Sequence, residues 1–263
     1  MAWRQFLNRS IEHLRDDMTR VMRASPLEPQ ANAKVLPLVG IRKPEDVKQF
    51  VTGSDSDIGG HSKAVLDTYP EDSPDAGKGR FHGVLSSKLA PGMKLAGSKV
   101  DRSGYAGFRT KSRPSLFGSR TWDTSSYVFL KVRVKPAQDQ GMRFFINVQT
   151  DGPVRSDLFQ HRLWLGDPGQ WQDVLVPFQD FTLTNAGTLS ETQIEMFKEK
   201  VRTVGISVLG PGEGPFELGI ESFECVNVED REAEYLLEGR KKAQQAEEQL
   251  AWLVQSKEKD RLN

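Results

Sequence analysis

The sequence predicts a mainly β fold, an antiparallel β-sandwich of jelly-roll type with a helical extension at each end. Apolar residues recur at steps of two through the middle of the chain and at steps of three or four only near the termini. Gly, Pro and Asp punctuate the intervals, as in Asp151-Gly152-Pro153 and Asp167-Pro168-Gly169. Alternation, rather than unbroken apolar runs, argues against a doubly wound parallel sheet, whose strands are buried on both faces. The expected organisation is an amphipathic helix and Pro-containing linker over 1–36, a sandwich over 37–228 and a closing helix over 229–263.

Each element has its own signal. Trp3, Leu7, Ile11, Leu14, Met18 and Val21 form the apolar stripe of a first helix, widened by Phe6 and Met22. Arg4 and Arg9 precede any acid, as at the start of a mitochondrial presequence, whereas Glu12, Asp16 and Asp17 fit a partner-binding or self-docking helix. Pro26, Pro29 and Pro37 then read as a linker. Strands are expected over 80–86, 104–110, 127–134, 143–149, 159–165, 171–176, 203–209 and 215–226. Ser190 and Gln193 can form the capping box of an inserted helix whose buried stripe is Ile194, Phe197 and Val201. In the last helix Leu236, Ala243 and Leu250 repeat every seven residues, as do Ala246 and Leu253. With Gly239 in the seam this is a weak coiled-coil pattern.

Composition excludes several classes. The 263 residues carry 36 basic and 36 acidic side chains, which removes any global argument for a nucleic-acid partner. Between Lys78 and Arg120 ten Lys or Arg face one acid, Asp101, a surplus that would draw an acidic partner or anionic lipid if it folded onto one surface. The single cysteine, Cys225, rules out an internal disulfide framework and falls where a small core residue belongs. No apolar stretch approaches the roughly 20 residues that cross a bilayer.

The search for chemistry yields neither a catalytic, cofactor-binding nor metal-binding residue. Gly210-Pro211-Gly212-Glu213-Gly214 is followed by strand alternation, not by the helix a phosphate loop requires, so it reads as a turn. His13, His61, His82 and His161 lack a second ligand at metal spacing, and His161 shares strand parity with Leu163 and Leu165. Asp55 and Asp57, in a run ending Gly59-Gly60, have the alternate spacing of oxygen ligands for a cation, but bracing a glycine-rich turn is the expected role. In Ser103 to Lys111, Tyr105, Gly107 and Arg109 fall on one strand face and Gly104, Ala106 and Phe108 on the other. A strand holding two glycines gains close backbone approach or a bend. Trp164 points outward with Arg162 and Gln160 if Leu163 and Leu165 face the core, and Trp122 sits in a polar approach to a strand.

Several separated blocks carry a family resemblance: Asp57-Ile58-Gly59-Gly60 with Ser62, Phe81-His82-Gly83-Val84-Leu85-Ser86, Ser103 to Arg109, Trp122 to Tyr127, Phe144 to Thr150, Trp171-Gln172-Asp173-Val174, Val176-Pro177-Phe178 and Gly214 to Leu218. In order and spacing they resemble the complex I intermediate-associated family of mitochondrial assembly factors, over about residues 46–228. The resemblance implies a galactose-binding-like sandwich, a matrix location peripheral to the inner membrane, and a chaperone-like role in assembling NADH:ubiquinone oxidoreductase with no catalysis. It implies complex I assembly intermediates and a companion assembly factor as partners, with peripheral contact to anionic inner-membrane lipid. The terminal helices fall outside the shared region and look like a fungal-type elaboration. Targeting is expected to rest on the first helix or on a preceding leader. The candidate partner-binding residues are Arg109, Trp122, Arg162, Trp164 and, in the last helix, Trp252. A carbohydrate-binding module is the alternative, and an enzyme or nucleotide-binding protein with an unrecognised site is a third.

Overall fold

The computed structural model describes residues 34–88, 104–115, 118–137, 142–152, 154, 156–185, 188–210 and 212–228, with Leu237, Lys241, Gln244 and Gln245. Those last four are helical. The expected first helix and the rest of the last, Trp252 included, lie outside the described residues. In chain order the strands are β1 (Val35–Gly40), β2 (Phe50–Ser54), β3 (Lys63–Thr68), β4 (Gly79–Leu85), β5 (Tyr105–Thr110), β6 (Arg113–Ser115), β7 (Gly118–Arg120) and β8 (Phe129–Pro136). They continue as β9 (Arg143–Thr150), β10 (Asp157–Arg162), β11 (Gln172–Pro177), β12 (Thr182–Asn185), β13 (Thr188–Leu189), β14 (Val201–Leu209) and β15 (Gly214–Val226).

Two antiparallel sheets face each other. One runs β11-β8-β15-β4-β3, with β1 on β15; the other runs β13-β12-β10-β9-β14-β5-β2. At 13 residues, β15 is long enough to pair with β4 along Gly214–Ile220 and with β1 along Ser222–Val226. The expected sandwich is therefore present. Leu130, Val132 and Val134 on β8 and Phe144, Ile146 and Val148 on β9 are buried, as alternation requires. Phe rings interlock across the interface: Phe108 of the seven-stranded sheet lies 4.9 Å from Phe81 and 6.4 Å from Phe223 of the six-stranded one, edge to face. Such pairs add about 0.5–1.5 kcal/mol each beyond their burial.

Two expectations are corrected. Pro37 does not extend the linker: it lies inside β1, which pairs with β15 alone and shifts register between Pro37 and Val39. A proline is tolerated on such an edge strand because no ladder bond is needed on its outer side. The inserted helix does not form either; only a 3-10 turn at Lys198–Lys200 is helical. Gln193 binds backbone across the sheet edge instead of capping a helix. Its Oε1 accepts Leu183 N–H at 2.7 Å, and its Nε2 donates to the Leu183 and Ser190 carbonyls. Ile194 and Phe197 are exposed, and Val201 opens β14.

A buried carboxylate bolts the two sheets at one corner. Asp55, in a 3-10 turn (Asp55–Ile58) after β2, is fully buried. It accepts Ser62 N–H at 2.8 Å and Ser62 Oγ–H at 2.9 Å before β3, and Gly104 N–H at 2.6 Å before β5. Ser62 Oγ also accepts Ser86 N–H beyond β4. Gly60 leaves the room this needs, since a Cβ there would sit 2.3 Å from Asp55 Cγ. The turn-bracing reading of Asp55 holds, and Asp57 is exposed.

The outer face of the six-stranded sheet is an ion-pair lattice. Asp67 meets Arg80 at 3.0 Å and His82 at 3.1 Å, Glu221 meets Lys78 and Arg133, Asp173 meets Arg133, and Glu224 meets Lys131 at 2.7 Å. Asp75, nearly buried, pairs with Lys135 and accepts Trp171 Nε1–H at 2.6 Å. Burial alone would raise the Asp75 carboxyl, but hydrogen bonds from Lys135 and Trp171 and the nearby lysine charges hold it below the ordinary carboxylate range.

Asp55→Asn should therefore cost about 3 kcal/mol, because an amide nitrogen would face donors and the buried charge-assisted bonds would be lost. Thermal unfolding checks this, with a fall of roughly 6–12 °C expected for a domain of this size. Asp75 gives a pH dependence. Its native pKa lies below its unfolded value near 4, so its stabilisation is present above that value and lost as pH falls through the native one. Urea midpoints for Asp75→Asn should be lower than wild type at neutral pH and should converge on it below about pH 4.

Candidate functional site

Register places the residues on the outer face of the seven-stranded sheet. One row across β2, β5, β14, β9 and β10 reads Gly53, Gly107, Ser207, Phe145 and Arg162. The next reads Val51, Arg109, Gly205, Asn147 and Gln160. On the opposite side of the first row lie Tyr105, Leu209 and Arg143. Gly53 and Gly107, paired across β2 and β5, leave a shallow trough in the first row that ends at Ser207 on β14, while Gly205 lies in the next row against Arg109. At Gly205 the small residue is obligatory, since a Cβ would lie 2.1 Å from the Phe108 carbonyl oxygen.

Defined groups border this trough. At the β2 edge, Asp57 Oδ2 stands 3.7 Å from where a Gly53 Cβ would be. Burial, then the charges of Asp57 and Asp55, raise the Tyr105 hydroxyl pKa above the ordinary tyrosine value. At the far side the Arg162 guanidinium lies 5.5 Å from the Phe145 ring centre and 5.2 Å from that of Trp164, within the range of cation–π attraction. Exposed Arg109 directs Nη1–H to its neighbour's carbonyl, Thr110 O, at 3.2 Å. Behind them runs a polar ladder: Thr184 Oγ1 donates to Gln160 Oε1, Gln160 Nε2 to Asn147 Oδ1, and Asn147 Nδ2 to Ser207 Oγ at 2.9 Å. Each amide nitrogen donates to its neighbour on the next strand.

The structure sorts the residues expected from sequence. Arg109, Arg162 and Trp164 share this face, the last two in contact. Trp122 does not. It is 8% exposed, bonds its backbone to Val201 in both directions, and lies beneath the Arg113 guanidinium at 3.4 Å. The bridge to the start of β14 turns the ring into the core, so Trp122 is a packing anchor rather than a contact residue. The basic stretch from Lys78 to Arg120 does not form one surface: Lys78 and Arg80 join the ion pairs of the six-stranded sheet, while Arg109 lies on the other. Sequence reasoning did not single out Phe145, Asn147, Ser207 or Asp57 for this face. The alternation of 143–149 carried the signal for the first two.

Cys225 and His161 lie away from this face, inside the fold. Cys225 is fully buried, and burial pushes its thiol up to about 12. His161 is buried with its ring 5.7 Å from that of Phe181. Among the described residues no three His, Cys, Asp or Glu side chains converge as a metal site, and no helix is long and apolar enough to cross a membrane.

Fold and face together define an antiparallel sandwich whose larger sheet carries Tyr105, Arg109, Phe145 and Arg162 on its outer face. Over residues 39–220 the sequence matches the model of the complex I intermediate-associated protein 30 family. It is 33% identical over 246 residues to the mitochondrial complex I intermediate-associated protein 30 of Neurospora crassa, covering 86% of this chain and 85% of that protein. To the Mus musculus protein of the same name it is 23% identical over 222 residues, 81% of this chain and 64% of that one. The chain belongs to the complex I intermediate-associated protein 30 family. Among solved structures it is similar to the family 11 carbohydrate-binding module of Clostridium thermocellum, at TM-score 0.44 and 11% identity over 68% of this chain and 88% of that one. An exo-β-agarase gives TM-score 0.44 at 10% identity over 74% and 25%. At that similarity no ligand carries over.

The two tryptophans should separate in a stability measurement. Trp122→Ala should cost about 3–5 kcal/mol, as large-to-small core changes do. Trp164→Ala should cost less, about 1 kcal/mol, because its side chain is only partly buried. Chemical denaturation of both variants decides the point.

Proposed function

We propose that this chain is a mitochondrial assembly factor for respiratory complex I that works by holding partly built membrane-arm intermediates, without a reaction of its own. The observation that carries the reading is the family match over most of the sandwich, together with 33% identity across 86% of the chain to a protein named for complex I intermediates. On this reading the protein works in the matrix, peripheral to the inner membrane, beside a companion assembly factor and in contact with anionic lipid. The burial of Cys225, with its thiol pushed up to about 12, suits a core residue better than a nucleophile.

Deleting the gene and resolving membrane complexes on a native gel tests this. Complex I should fall severalfold, with membrane-arm intermediates altered, and reintroducing the chain should restore it. Complex I at normal abundance after deletion would reject the reading.

A further inference from the structure

The outer face of the six-stranded sheet changes character at one end. Its ion pairs give way to apolar side chains in two rows: Val35, Val226, Phe129 and Pro177 in the last, and Leu175 beside Lys131 and Glu224 in the one before. Their alternate neighbours Leu130, Val174, Val176 and Cys225 fill the core, so these side chains point away from it. Two of them are nonetheless covered. Leu175 and Val226 are each 2% exposed, yet neither belongs to the core between the sheets. β11 is an edge strand, so an outward leucine on it reaches such burial only beneath a further layer. Phe129 is half-buried, whereas Val35 at 45% and Val128 at 55% stay exposed beside it.

We infer that the carboxy-terminal segment 229–263 docks across this apolar end as a helix and is the layer that covers Leu175 and Val226. The chain itself leads there. β15 ends at Val226, within the patch, and Asn227 is fixed beside it: its N–H donates to Lys34 O, its Oδ1 accepts Val128 N–H, and its Nδ2 donates to Ser126 O at 2.8 Å. Two inter-strand steps and one row, about 12 Å, separate Val226 from Leu175, a distance that a helix rising ~1.5 Å per residue spans in about eight residues. That puts the crossing just before Leu237. Leu237 and Gln244, seven residues apart and so on one side of a helix, are half-buried, while Lys241 and Gln245 are exposed. The competing occupant is the amino-terminal segment, which also joins the sandwich here. Pro26 and Pro29 interrupt its approach, whereas 229–263 continues from the patch without a proline. The inference goes beyond the assembly-factor reading and does not depend on it.

The test uses the full-length chain with benzoylphenylalanine, a photo-crosslinker, in place of Leu237. Isotope-labelled and unlabelled chains are mixed before irradiation, so that links within and between copies differ in mass. Links within one chain to 129–131 or 175–177 support the inference. Links to 1–33, to a second copy or to another part of the sandwich, or no link at all, overturn it. Amide hydrogen exchange gives a second readout. Exchange over 233–246 should quicken tenfold or more in Leu175→Ser and also in Phe129→Ser, whose ring lies outside the core, so that its loss leaves the sandwich folded. Unchanged exchange of β9 and β14, in the other sheet, verifies that folding is intact. Exchange over 233–246 that stays at the wild-type rate in a folded variant overturns the inference.

Discussion

One carboxylate holds the two sheets of the sandwich together at one corner. Asp55 gives its two oxygens to Ser62 and Gly104, so a turn after β2, the approach to β3 and the start of β5 share one buried charge. A buried carboxylate is costly unless fully hydrogen-bonded, and this one is satisfied entirely by donors that other segments present. β5 is the strand that carries Tyr105, Gly107 and Arg109 outward. The same bolt that registers the two sheets therefore sets the height at which the trough floor stands.

The two outer faces use charge in opposite ways. On the six-stranded sheet, Asp67, Asp75, Asp173, Glu221 and Glu224 each have a basic partner in reach, and Trp171 and Tyr69 add hydrogen bonds to acids. Such a surface is internally neutralised and gives a charged partner little to gain. On the seven-stranded sheet Asn147, Gln160, Thr184 and Ser207 hydrogen-bond to one another, and the Arg162 guanidinium lies near the Phe145 and Trp164 rings. The asymmetry follows from composition along strands: β15 and β8 supply alternating acids and bases to the first face, whereas β5, β9 and β14 supply glycine, aromatic residues and arginine to the second.

Much of this was legible in the sequence because sandwich strands have a simple period. The parity of 143–149 gave the inward and outward residues of β9 correctly, and the parity of Gly104–Thr110 set Tyr105 and Arg109 on one face and Ala106 and Phe108 on the other, as the structure has them. What failed was whatever depended on long-range pairing. Pro37 reads as a breaker locally, and only an edge position on β15 makes it a strand residue. Ser190 and Gln193 are a valid capping pair in isolation, but Gln193 gains more by bonding both backbone groups of Leu183, ten residues away. Trp122 reads as exposed from its polar neighbours, and its inward turn depends on a bridge to Val201. Cross-strand registers such as Gly53–Gly107–Ser207 join positions 54 and 100 residues apart, so no local pattern could reveal this row.

The length of β15 has a consequence for how the molecule comes into being. This strand sits between β8 on one side and both β4 and β1 on the other, so the six-stranded layer has no centre until residues 214–226 are available. A chain emerging amino-end first, from a ribosome or through an import pore, must deliver six-sevenths of its length before β1, β4 and β8 find their common neighbour. Until then three strand edges stand open to mispairing, and a holdase that shields them would govern yield more than any single native contact.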